Sequence, residues 1–170
     1  MHLTSREWWT LLHGMIIGSA FLLAFAGGLA GLYSLRTEYV TPAGVKERLR
    51  RMQVGFWGMA AAAWATVITG TWIVYPWYRE KTPTSPKSIL TANPSTEDWH
   101  NFGMEWKEHI AWIAPMLATA AAFLVTYYGP RLARDRSLRQ IVLVLFVGAF
   151  LTAAAAGLFG ALITKVAPVK

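Results

Sequence analysis

Two histidines, His13 and His109, stand near the starts of two long apolar stretches. Neutral imidazole is the commonest protein donor to haem iron, and electron-transfer cytochromes take two axial ligands. One histidine on each of two facing helices would clamp a single porphyrin between them. An ionisable side chain inside an apolar membrane helix is costly and marks function by default. The other two histidines are weaker candidates: His2 is terminal, and His100 precedes His109 by nine residues. At about 100° per residue that spacing puts His100 and His109 on opposite helix faces.

The rest of the composition narrows the chemistry. Cysteine is absent, which removes disulfides, thiolate zinc, iron–sulfur ligation and covalent c-type haem. Glu105 and Glu108 lie close to His109, but no second acidic helix is available to complete a di-iron carboxylate site. No carboxylate lies within the apolar cores, which argues against an ion pump. No phosphate-binding glycine loop or nucleophile motif is present. The ligand set therefore reduces to His13 and His109, with Gly14 and Gly18 leaving room for a flat cofactor and Arg79 and Lys107 placed to neutralise propionates. Each of these residues also has a plainer reading, as an interfacial anchor, a packing glycine or a solvated charge.

The elements that position them follow from charge. No Asp, Glu, Lys or Arg occurs in Trp8–Leu35, Met52–Tyr78, His109–Pro130 or Gln140–Thr164. Each stretch reaches the roughly 20 apolar residues that cross a bilayer, and helices satisfy their own backbone there. The expectation is an all-α integral membrane four-helix bundle in one domain, 1–170. Its helices would run over about 8–33, 54–78, 96–128 and 138–163, with an extended outer loop at 79–95. Ser95 and Asp98 read as an acidic variant of a capping box for the third helix, and Pro115 as a kink. Gly14/Gly18 and Gly27/Gly31 carry the small-xxx-small spacing of close helix contacts.

Topology follows from the basic loops. Loop 36–51 carries Arg36, Lys46, Arg48, Arg50 and Arg51, and loop 131–139 carries Arg131, Arg134, Arg136 and Arg139. The positive-inside rule puts both on the cytoplasmic side and both termini outside. The first segment reads as an uncleaved signal-anchor span, since Glu7 offsets Arg6 in its leading region. The formal net charge of +7 then belongs to membrane orientation and not to nucleic acid. His13 lies 20 residues from Tyr33, and His109 lies 19 from Tyr128. At 1.5 Å per residue both stand about 30 Å from the inner interface, near the outer edge, with Trp8, Trp9 and Trp106 just beyond.

This arrangement resembles that of small four-helix membrane cytochrome b subunits. The likeness rests on the four spans together with His13 and His109. It implies one haem b, since diheme members of such groups need four intramembrane histidines. The expected function is electron transfer within a larger redox complex of a bacterial inner membrane. Its partners would be membrane lipid, other subunits and an external electron-carrier protein, with a quinone site also open. Catalysis would belong to a partner subunit. The rival expectation is a cofactor-free structural or accessory subunit of a respiratory or photosynthetic complex.

Overall fold

The computed structural model describes residues 2–35 and 41–168. Arg36 of the first basic loop and Lys170 lie outside the described residues. Every regular element among the described residues is helical. Four helices are long and apolar enough to cross a membrane: α1 (Ser5–Ser34), α2 (Ala43–Tyr78), α4 (Trp99–Tyr128) and α6 (Arg136–Val166). Among the described residues, two short helices, α3 (Pro86–Thr91) and α5 (Arg131–Arg134), sit in the connections.

The start of α2 differs from the charge-free stretch that marked it, while its end at Tyr78 agrees. Its first turns run through Lys46, Glu47, Arg48, Arg50 and Arg51, because nothing there breaks a helix and Thr41 Oγ1 caps the start by accepting from the Gly44 amide at 3.3 Å. Arg48 then donates to the Ser34 carbonyl at 3.1 Å, closing the end of α1. The 79–95 connection is not wholly extended. Ser85 caps α3, and Pro86 and Leu90 are buried. The expected Ser95–Asp98 capping box does not form. Asn93 Oδ1 instead accepts from both the amide and the hydroxyl of Ser95 at 2.9 Å, in a turn ahead of α4, whose N-cap Asp98 makes no side-chain cap bond. Pro115 has its expected effect: with no N–H to give to the Ala111 carbonyl, α4 loosens into a turn at Ala111–Trp112.

Helix α1 packs chiefly on α2, α2 on α4, and α4 on α6, with a smaller α1–α6 contact. Phe56 and Phe146 stack at 3.9 Å between ring centroids, and Phe25 and Phe150 at 4.1 Å. Around them Met52, Met59, Ala118, Ala121, Ala122, Val125 and Val142 make the main core. The close approach of α1 to α2 uses Gly28, Gly31 and Gly55 rather than Gly27. A Cβ on Gly28 would lie 2.6 Å from Phe146 Cζ, and one on Gly55 would lie 3.3 Å from the Gly28 backbone, whereas Gly14, Gly18 and Gly27 have nothing within 4 Å. Two tryptophans tie α2 to α4: Trp57 donates to Thr126 Oγ1 at 3.0 Å and Trp64 to Thr119 Oγ1 at 3.1 Å. A second, smaller core at the end away from the basic loops joins Tyr78, Leu90, Met104, Ile163 and Ala167.

Candidate functional site

His13, His100, Lys107 and His109 stand toward that second end, and among the described residues three π-helical turns shape the helices that carry them or pack on them. The turns span Leu12–Ile16, Gly70–Val74 and Trp99–Met104. A π turn inserts one residue into the helical repeat and is frequent at functional sites. His13 lies in the first, and His100 lies in the third.

His13 reaches from α1 to α2. Its Nδ1 stands 2.8 Å from Thr69 Oγ1. That hydroxyl already donates to the Ala65 carbonyl at 2.7 Å, so Thr69 accepts and His13 Nδ1 carries the proton. The Nε2 lone pair is left free. Gly70 makes the seat, because a Cβ there would lie 3.0 Å from His13 Cε1. Lys107 of α4 is an electrostatic neighbour of His13. The Lys107 side chain lies against α6, where a Cβ on Gly160 would stand 3.3 Å from Cε and 3.6 Å from Nζ.

His109 is mounted in a chemically similar way but on another face. Its Nδ1 lies 2.6 Å from the Glu105 carbonyl, an acceptor, so Nδ1–H donates and Nε2 is again free. The imidazole itself is exposed. The inward stripe of α4 is His100, Met104, Ala114 and Ala118, continued by Lys107 toward Gly160. His109 follows Lys107 by two residues, about 200° of rotation, and shares the outward face with Phe102 and Trp106, which stack at 6.1 Å. The structure therefore does not bring His13 and His109 together.

The remaining site residues are engaged elsewhere. Arg79 forms an ion pair with Glu105 and lies 3.6 Å from Glu108, and its guanidinium stands 4.8 Å above the Tyr75 ring. Burial opposes the charge on Arg79, but Glu108, Tyr75 and Glu105 outweigh it and hold its pKa above the usual value. Arg79 Nε and Glu108 Oε1 are buried without a hydrogen-bond partner among the described residues. On either side of Arg79, Tyr78 OH bonds His100 Nδ1 at 2.9 Å, and Glu80 takes a bidentate pair from Arg6 at 3.0 and 3.2 Å. Three consecutive residues thus fasten the end of α2 to α4 and α1. Gly14 and Gly18 border open space. No cluster of three or more His, Asp or Glu able to hold a metal ion occurs among the described residues.

Sequence reasoning set His100 aside, yet it is 7% exposed and belongs to the inner stripe. The signal was the i, i+3, i+4 pattern of His100, Gly103 and Met104, all three of them buried. No protein-family model matches this chain, and no curated protein and no solved structure is similar to it.

Proposed function

We propose that this chain is an integral-membrane electron-transfer subunit of a larger redox complex, and that it holds one b-type haem through His13. The observation that supports the reading is the mounting of His13. A ligating histidine nearly always donates its other ring N–H to a fixed acceptor, which sets tautomer, orientation and basicity. Thr69 supplies that acceptor, fixed in turn by Ala65. The haem would supply the one-electron couple. The chain's own part is to hold the iron at Nε2, to set the ring against Gly70, and to offer the Lys107 ammonium to a propionate. Arg79 has no such role in this reading, because Glu105 and Glu108 already occupy it.

The donor chemistry of His109 fits haem as well, but its placement does not fit the same porphyrin as His13. On this reading His13 would hold the haem and His109 would not share it. The bundle lies in a bacterial inner membrane with its basic loops in the cytoplasm, and the electron partner docks at the opposite end.

Absorption and pyridine haemochrome spectra of the purified protein test this. The expected result is one high-spin b haem that is lost in His13→Ala and kept in His109→Ala. A haem-free wild type overturns the reading. A low-spin wild type that loses its haem in either variant replaces it with bis-histidine ligation by His13 and His109.

One observation favours the second reading, a cofactor-free accessory subunit. Several charges at the end away from the basic loops are already paired, Arg6 with Glu80 and Arg79 with Glu105, which is the arrangement of a structural brace.

A further inference from the structure

At the basic end, the turn between α4 and α6 encloses an open groove of about 810 Å³, lined by Tyr128, Arg131, Arg134, Arg136, Ser137, Leu138 and Ile141, with Asp135 as the one acid. We infer that this groove binds the headgroup of an anionic phospholipid. The inference is independent of the haem reading.

The turn is built, not loose. Gly129 takes a positive φ of 43°, which glycine adopts without a Cβ clash. Leu132 and Ala133 are buried, anchoring one side of α5. Arg139 Nη1 donates to both the Leu132 and Ala133 carbonyls at 2.8 Å, which staples α5 to α6. Arg131 and Arg134, three apart on α5, therefore project on the side away from that anchor. Neither they nor Arg136 have an ion-pair or hydrogen-bond partner among the described residues, and all three are exposed. Asp135 is partly spent, its Oδ1 accepting from the Leu138 amide at 3.0 Å.

The chemistry of the lining is that of a phosphodiester. Three guanidiniums face a single carboxylate. The amides of Arg136 and Ser137, at the start of a 31-residue helix, have no intrahelical acceptor and carry the positive end of the helix dipole. Ser137 adds a hydroxyl. A free phosphate would use only these groups. A phospholipid also uses Leu138 and Ile141, which carry the groove down the apolar flank of α6, Ile141 being 53% exposed. Basic pockets between membrane helices on the cytoplasmic side bind such headgroups.

The test uses the full chain in detergent and three probes: short-chain phosphatidylglycerol, short-chain phosphatidylcholine and inorganic phosphate. Native mass spectrometry reads retention. Phosphatidylglycerol should be retained well above phosphatidylcholine, and millimolar phosphate should displace it poorly. Changing Arg131, Arg134 and Arg136 together to Gln should weaken retention by about tenfold or more. Changing Lys46, Arg50 and Arg51 at the same end to Gln should leave it within about twofold, because those residues lie outside the groove. Equal loss in the two triple variants would reduce the site to a diffuse basic surface and overturn the proposal. So would equal retention of phosphatidylcholine, or phosphate competing as well as the lipid. If the groove variant does not fold, the three probes on the wild-type chain decide the matter alone.

Discussion

His13 donates its Nδ1–H to Thr69 Oγ1 across 2.8 Å, and the same hydroxyl passes its own proton to the Ala65 carbonyl. The relay joins α1 to α2 and fixes which imidazole nitrogen is free. Thr69→Val keeps the shape of the residue and removes the acceptor. The expected cost is about 1 kcal/mol, read as a lower thermal unfolding midpoint in detergent. On the proposed haem reading, loss of such a supporting partner should also weaken haem binding by roughly 10–100-fold, measured by haem titration of the purified protein.

The glycines of α1 separate packing from mere composition. Gly28→Ala puts a Cβ 2.6 Å from Phe146 Cζ, where the Phe56–Phe146 stack leaves little room to move. Overpacking of this kind costs about 1–3 kcal/mol. Gly27→Ala meets nothing within 4 Å and should stay within about 0.5 kcal/mol of the wild type. Unfolding midpoints of the two variants, measured side by side, check the contrast, and equal midpoints would contradict the placement of Gly28.

Arg79 and Arg51 both pair with glutamate, in different settings. Arg51 and Glu47 are four apart on α2 and well exposed, so Arg51→Gln should cost about 0.5 kcal/mol or less. Arg79→Gln leaves Glu105 and Glu108 close together without their cation at a half-buried site. That loss falls between the exposed and buried limits, about 1–2 kcal/mol. Raising salt should shrink the smaller effect and leave most of the larger one.

Tyr78 and His100 are both buried and hydrogen-bonded at 2.9 Å. Tyr78→Phe strands a buried imidazole nitrogen, at a cost of about 1–3 kcal/mol. Hydrogen exchange should show the opening concentrated in α3 and the first turns of α4, which share that small core through Leu90 and Met104, while the Phe56–Phe146 core keeps its protection.

The four apolar helices and the effect of Pro115 were legible in the chain alone, whereas the expected basic loops are largely helical, Lys46–Arg51 opening α2 and Arg131–Arg134 forming α5. Length, exclusion of charge and a missing N–H are local properties that act before any helix meets another. The start of α4 was not legible, because Asn93 engages Ser95 in a turn within a connection that also folds a buried turn of helix. Nor was the direction in which each histidine points. Counting at 100° per residue loses phase across a π turn, and such turns lie at Leu12–Ile16 and at Trp99–Met104. It also cannot say which of two opposite faces is turned inward. Only packing decides that: Gly160 of α6 receives Lys107, Tyr78 of α2 receives His100, and His109 is left on the outer face. The residue types narrowed the candidate donors to imidazole, while the tertiary contacts determined that Thr69 stands beside His13.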